Sequence, residues 1–491
     1  MSALALEKSN NEVKARPHLG IVIVGHVDAG KSTTTGHLLF KLGKMDQRVL
    51  TKLKEEAAQL GKQSFEFAFF MDKQKEERAR GVTISCTTKE FFTEPSENND
   101  TGYHYTIIDA PGHKDFIKNM ITGASQADVC LLMVPATKGS FEVSIQKANH
   151  KEGKVQGQTR QHAKLCNLIG IKQMIVGVNK MDGANYSEER YNEIKSEVTK
   201  MLKDIGWKPK QIAFIPMSGL QGENLDHVSD KMPWYKGFEV NISKGVTRKG
   251  HTLIDALSNV VQVPKKKENV PFRMPVSDVL KIPGVGTVIT GRIEQGQLKK
   301  GQVIHFAPRG VSGQVFSIEM HHRQVEVANA GDNVGISVKK LPAENMPKKG
   351  DVIFIENDPH ANGVTPAPVK SFDAMVFVQD HPGELSAAKL DKDGNPGLGG
   401  WTPSIHVRTA HAACRLVKIH WKKGKSTKNV QVDNPLFLKS GDSALVTMEP
   451  KKETPLFLDT FDVCEGLSRI AGMDSKTLIM LGKVEKVTYK S

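Results

Sequence analysis

Gly25, Gly30, Lys31 and Ser32 stand in the spacing G-x-x-x-x-G-K-S within "GHVDAGKS", directly after the apolar run "LGIVIVG". Leu19 to Val24 is short, β-branched and uncharged, so it reads as a buried strand. The stretch after Ser32, "TTTGHLLFKLG", puts Leu38, Leu39 and Leu42 on one helical face. Strand, glycine loop, helix is the setting in which this spacing holds a polyphosphate. The loop Gly25, His26, Val27, Asp28, Ala29, Gly30 can curl so that its N–H groups, with those of the helix start through Thr33, converge on phosphate oxygens. Lys31 places a charge between the terminal phosphates. Ser32 offers a hydroxyl to Mg²⁺.

The base is read by "VNKMD", which follows the β-like run "QMIVGV". An Asp182 carboxylate accepts from guanine N1–H and N2–H₂, whereas adenine lacks both donors on that edge and would leave it unpaired. Lys180 can lie over the base, and Asn179 can tie the base to the phosphate loop. In "IPMSGL", Ser218, Gly219 and Leu220 follow another strand, where the backbone N–H groups of Ser218 and Gly219 are expected to meet guanine O6. Two further pieces face the γ-phosphate. "TIIDAPGHKDF" ends a strand at Asp109, a carboxylate that can hold Mg²⁺ through water. Gly112 N–H can sense the phosphate, and His113 can orient the attacking water; the alternative for His113 is a hydrogen-bonded loop histidine. In "KEERARGVTI", Thr83 sits in a charge-rich, mobile-looking stretch, as a second hydroxyl for Mg²⁺ while the γ-phosphate is bound.

These loops need a scaffold. From 17 to 262, buried strands such as "YTIIDA", "ADVCLLMVPA", "QMIVGVN" and "QIAFIPM" alternate with amphipathic helices. The clearest helix starts after Ser187, with Tyr191, Ile194, Val198, Met201 and Leu202 as its apolar stripe. Alternation predicts a mostly parallel sheet with helices on both faces, and ligands beyond the carboxyl ends of its strands. From 270 the pattern becomes short, glycine-punctuated β runs, which predict antiparallel β-barrels. The expected division is a tail 1–16, a nucleotide domain 17–262, a linker 263–269, a barrel 270–357, a linker 358–368 and a second barrel 369–491. The lysines of "PKKKENVP" read either as a solvated face or as an RNA contact.

The set GHVDAGKS, RGVT, DAPGH, NKMD and SGL resembles the translational GTPases, and "DFIKNMITGASQADV", "MPWYKGF", "GVGTVITGRIEQGQLKKG", "EMHH" and "GDNVG" extend the resemblance along the chain to elongation factor 1-alpha. "SIQKANHKEGKVQGQTRQHA", "KIHWKKGKSTKNVQVDNP" and "CEGLSRIAGMDSKTLIMLGKV" look more like its sister group, the elongation factor-like GTPases. The resemblance implies an α/β P-loop GTPase domain followed by two antiparallel β-barrels. It implies GTP, GDP and Mg²⁺ as ligands, GTP hydrolysis stimulated by the ribosome, delivery of aminoacyl-tRNA to the ribosomal A site, and a guanine-nucleotide exchange factor as partner. It makes Val27 and Val82 an apolar gate in front of His113. It makes Glu319, His321 and Asn333 contacts for the 3′ end of aminoacyl-tRNA. The chain departs from elongation factor 1-alpha at Arg408, where that family has histidine, at Met473, where it has arginine, and in an insertion around Lys147 to Gly157, on the face an exchange factor would use.

Composition agrees with a carrier of RNA. The 491 residues carry a formal charge of +14, which suits a polyanionic partner. Cys86, Cys130, Cys166, Cys414 and Cys464 are widely spaced and without C-x-x-C, so they read as free thiols in a reducing compartment. Neither a signal peptide nor an 18-residue apolar span is visible, and a cytoplasmic monomer is expected. The competing function is a termination or ribosome-rescue GTPase that delivers a protein. Those relatives carry long N-terminal extensions, whereas about sixteen residues precede the nucleotide domain here. A metabolic GTPase subunit is disfavoured by the EMHH stretch, and charge permits actin binding without establishing it.

Overall fold

The computed structural model describes residues 16–72, 74–80, 83, 86–96, 99–113, 116–147, 156–243, 245–265, 267–320, 323–342, 344–360, 367–379, 381, 383–389, 397, 399–474 and 477–490. Val82, His321 and most of the insertion therefore lie outside the described residues. The chain divides into two compact units, with the boundary between Pro264 and Lys265 and the short stretch Leu168–Gly170 grouped with the second.

The first unit is built on six strands: β1 (His18–Gly25), β2 (Thr87–Phe92), β3 (His104–Asp109), β4 (Val129–Pro135), β5 (Gln173–Asn179) and β6 (Ala213–Pro216). Their order is β2-β3-β1-β4-β5-β6, parallel throughout except for β2 against β3. Every residue of "VCLLMVP" in β4 is buried, as a central parallel strand covered on both faces requires. The register aligns Ile23 with Asp109 and Pro135 with Asn179, so the chemistry-bearing ends of β1, β3 and β5 emerge at one edge.

Helix α1 (Lys31–Lys41) starts at Gly30 and ends with Leu42 as its cap, so Leu38 and Leu39 are buried while Leu42 is only half-buried. Helix α2 (Gln47–Gln59) is capped by Asp46. Helices α3 (Ile117–Ala124) and α4 (Gln158–Ile169) follow β3 and β4. Helix α5 (Glu188–Ile205) has the predicted Ser187 cap, accepting from Arg190 N–H at 3.2 Å, and buries Tyr191, Ile194, Val198, Met201 and Leu202.

The second unit holds two closed barrels. In the first, β7 (Met274–Ile282), β8 (Gly286–Arg292), β9 (Val303–Ala307), β10 (Val311–Met320), β11 (Asn333–Lys339) and β12 (Val352–Ile355) run in the circuit β9-β12-β7-β8-β11-β10, closed by β10 on β9. In the second, β13 (Val369–Val378), β14 (Ser404–Val407), β15 (Ala410–Gly424), β16 (Asp442–Pro450), β17 (Arg469–Asp474) and β18 (Thr477–Tyr489) run β14-β17-β18-β13-β16-β15 and close by β15 on β14. Each circuit is closed, and a short strand, Arg323–Val325 on β10 and Val432–Asp433 on β15, extends each sheet beyond it.

The two barrels share one apolar cluster, in which Ala307, Val352 and Phe354 of the first pack with Val369 and Phe457 of the second. Through this seam runs a buried ion pair, Arg273 Nε to Asp459 Oδ2 at 2.8 Å, with the guanidinium 4.2 Å from the centre of the Phe354 ring. Arg408, one of the positions singled out in the sequence, bonds Glu294 of the first barrel at 2.6 Å.

Candidate functional site

A cleft of about 540 Å³ opens at the carboxyl edge of the first unit's sheet. Val27, Asp28, Gly30, Lys31, Ser32, Thr33, Gly112, His113, Asn179, Lys180, Asp182 and Leu220 all line it, as do Asp72 and Thr83. Gly25, His26, Ala29, Asp109, Ser218 and Gly219 are not among the residues that line it.

At the phosphate end, Gly30 has φ 82° and a Cβ there would overlap the Asn179 amide nitrogen, so no other residue fits. At Gly112 a Cβ would meet Lys31 Nζ, so that side chain would have to shift. Lys31 is buried and donates to His26 O across the loop at 3.0 Å. Burial lowers its pKa, opposed by Asp109, Asp28 and Asp72. Two residues absent from the sequence reading hold the loop from behind. Gln158 Oε1 accepts from Val27 N–H at 3.1 Å, and His162 Nδ1 accepts from Gly25 N–H at 3.2 Å. Burial, then Lys31 and His26, push His162 down to about 3, so it is neutral with its proton on Nε2. Their i, i+4 spacing on α4 was the available signal.

Next to the loop is a nest of hard oxygens. Thr83 donates to Asp72 Oδ1 at 3.0 Å, and the Ser32 hydroxyl lies 3.1 Å from Thr83 Oγ1, within hydrogen-bonding distance. Thr83 is buried here, whereas its charge-rich stretch suggested a mobile site. Asp109 is fully buried and neither carboxylate oxygen has a hydrogen-bond partner among the described residues. Burial raises it to about 6 despite the opposing Ser32 and Lys31, and raises Asp72 to about 7 with Asp109 adding to the effect. Asp72 was missed because a lone carboxylate 11 residues before Thr83 belongs to no motif. His113 borders this end of the cleft, half-buried, its ring 6.0 Å from that of Phe116.

At the other end, Asn179 joins two loops. Its Nδ2 donates to Ala29 O at 2.8 Å and reaches Thr34 Oγ1 at 3.3 Å, while its Oδ1 accepts from Gly219 N–H at 2.8 Å. Ser218 Oγ donates to Asp182 Oδ1 at 2.6 Å and fixes that carboxylate. The expectation for O6 changes in one respect. Ser218 N–H is bonded to Glu223 O at 3.3 Å and Gly219 N–H to Asn179, so both are already used inside the protein. Leu220 is the cleft-lining residue of that loop.

In the second unit, Glu319 on β10 pairs with Gly335 on β11, two positions along from Asn333. Asn333 faces Arg292 of β8, and its Oδ1 is buried with no hydrogen-bond partner among the described residues.

Residues 16–263 match the Elongation factor Tu GTP binding domain, 286–354 match Elongation factor Tu domain 2, and 371–485 match the GTP-eEF1A C-terminal domain-like family. The chain is 42% identical to Elongation factor 1-alpha of Coccidioides immitis over 477 residues, covering 96% of this chain and 95% of that one. It is likewise 42% identical to Elongation factor 1-alpha of Saccharomyces cerevisiae over 475 residues, 96% and 95% of the two chains. Among solved structures, the GTP-bound Ski7 GTPase-like domain of S. cerevisiae superposes over 99% of each chain with TM-score 0.72 at 19% identity, which shows the shared fold. A bacterial selenocysteine-specific elongation factor, EF-Sec, gives TM-score 0.59 at 18% identity, covering 95% of this chain and 58% of its own. With both barrels included in that identity, the chain belongs to the elongation factor 1-alpha family of translational GTPases.

Proposed function

We propose that this GTPase delivers aminoacyl-tRNA to the ribosomal A site and lets it go when GTP is hydrolysed. The observation that carries the reading is that 42% identity to Elongation factor 1-alpha runs over 96% of the chain, beyond the nucleotide domain into both barrels. In this reading Asp182, steadied by Ser218, accepts from guanine N1–H and N2–H₂. Leu220 N–H meets O6, Lys180 covers the base, and Asn179 keeps the base and phosphate loops in register. The Gly25–Thr33 loop and Lys31 hold the phosphates.

The donors at Ser32, Thr83, Asp72 and Asp109 fit Mg²⁺: all are hard oxygens, and Asp109 buries two acceptors without hydrogen-bond partners among the described residues. Ser32 and Thr83 would bind it directly and the carboxylates through water. When bound, the ion offsets charge on the β- and γ-phosphate oxygens. His113 orients the attacking water, with Val27 and Val82 in the gating role that the family resemblance implies. On the first barrel, Glu319 and Asn333, with His321, take the charged 3′ end; the Asn333 Oδ1, without a hydrogen-bond partner among the described residues, suits a splayed nucleotide or its 2′-OH.

The test is GTP hydrolysis on programmed ribosomes. Fast hydrolysis should require aminoacyl-tRNA that matches the A-site codon. A GTPase that delivers a protein factor would hydrolyse without it.

A further inference from the structure

His37 lies in α1, beyond the phosphate-binding residues, and no motif claims it. Its ring is buried and stacked on Phe67, centroids 4.1 Å apart and planes 5° apart. Its Nδ1 is 2.8 Å from Gly219 O. A carbonyl only accepts, so Nδ1 carries the proton and His37 is the donor. The far edge of the ring is closed off by Gly222, where a Cβ would lie 2.8 Å from His37 Cε1. One turn later, Lys41 Nζ meets Asp226 Oδ1 at 2.8 Å. Helix α1 therefore grips the loop after β6 at two points.

Gly219 C=O and Leu220 N–H belong to the same peptide unit. In a trans peptide they point in opposite directions. Holding the carbonyl against α1 turns the Leu220 N–H to the other side of the chain, and Leu220 lines the cleft. The two preceding N–H groups are already spent on Glu223 and Asn179. Residue 219 must be glycine, because a Cβ would overlap Thr34 Oγ1. Glycine leaves this peptide free to rotate, so its orientation has to come from outside the loop.

We infer that His37 is a positioning residue for guanine recognition: its Nδ1–H fixes the Gly219–Leu220 peptide so that the Leu220 N–H faces the O6 of the base. The inference rests on the base site proposed above. It also sharpens specificity, since an adenine N6–H₂ would meet that fixed donor with another donor.

The experiment compares wild type with His37→Phe, which keeps the stack on Phe67 but has no donor, with His37→Ala as a second donor-free variant, and with His37→Asn, whose amide can replace Nδ1–H. Affinity is measured for GDP, for IDP, which keeps O6 but lacks the 2-amino group, and for 6-thioguanosine diphosphate, which keeps both guanine donors but has a poorly accepting sulfur at position 6. The donor-free variants should lose roughly tenfold for GDP and IDP alike, the scale of one neutral hydrogen bond. They should lose less than about threefold for the 6-thio nucleotide, and His37→Asn should recover most of the GDP affinity. Equal losses for all three nucleotides would make His37 a packing residue only, and no loss would remove it altogether; either overturns the inference. If wild type binds GDP and the 6-thio nucleotide equally, the O6 contact is absent and the base-site reading falls, taking the inference with it.

Discussion

Replacing Asn179 with alanine should loosen the nucleotide far more than the loss of one side chain suggests. Asn179 is 2% exposed and serves two loops that touch different parts of the ligand. Alanine leaves Ala29 C=O and Gly219 N–H, each bonded at 2.8 Å, without partners in a buried place. Each orphaned group costs about 1–3 kcal/mol. The 3.3 Å contact to Thr34 adds little, because that hydroxyl can turn elsewhere. In the free variant both loops can relax toward water, which recovers part of the cost. Binding GDP must then bring them back, so about 2–4 kcal/mol appears as lost affinity, roughly 30- to 800-fold. Displacement of a fluorescent GDP analogue gives the dissociation rate, and titration gives the affinity. An affinity within about threefold of wild type, with only the melting temperature lowered, would refute the coupling of the two loops through this side chain.

Three other outcomes follow from the same site. Asp109 and Asp72 are raised to about 6 and about 7 by burial, so in chelator their contribution to stability is full at low pH and is lost as pH rises through those values. Melting curves from about pH 5 to about pH 8 should show that decline, Asp72→Asn should flatten it, and Mg²⁺ affinity should weaken as pH falls toward 6 because the ion needs ionised carboxylates. Asp182→Asn should weaken GTP binding and shift preference toward xanthosine triphosphate, whose position-2 oxygen accepts from an amide; calorimetry with both nucleotides checks this, and unchanged GTP affinity would remove Asp182 from the base site. His113→Ala should leave GTP affinity nearly intact while slowing ribosome-stimulated hydrolysis by at least about a hundredfold in single-turnover assays, because a group that acts on water in the transition state contributes little to ground-state binding.

The nucleotide loops were legible because their chemistry is local. A phosphate loop needs its glycines, lysine and hydroxyl at fixed short spacings, and "GHVDAGKS" and "NKMD" announce themselves between a strand and a helix. The cap and stripe of α5 were legible for the same reason. What stayed hidden joins residues far apart in the chain. His162 and Gln158 reach the phosphate loop across 137 and 131 residues, and His37 reaches Gly219 across 182. Single buried polar side chains leave no periodic trace, and only the sheet order brings them together. The same holds for the barrel seam, where Arg273 meets Asp459 across 186 residues. The sequence named the loop for O6 but not which of its N–H groups the protein itself consumes, here those of Ser218 and Gly219.

The central claim, delivery of aminoacyl-tRNA, is tested most directly by the stability of the ester linking amino acid to tRNA. Deacylation of charged tRNA is followed against protein concentration with GTP and with GDP. Protection should appear with GTP and not with GDP, and it should weaken steeply as salt is added, since basic side chains displace counterions from the tRNA phosphates. His321→Ala and Asn333→Ala should each reduce it by about 1–3 kcal/mol without changing GTP affinity. Decay at the same rate with and without the GTP form would contradict the account and leave delivery of a protein factor as the reading to pursue.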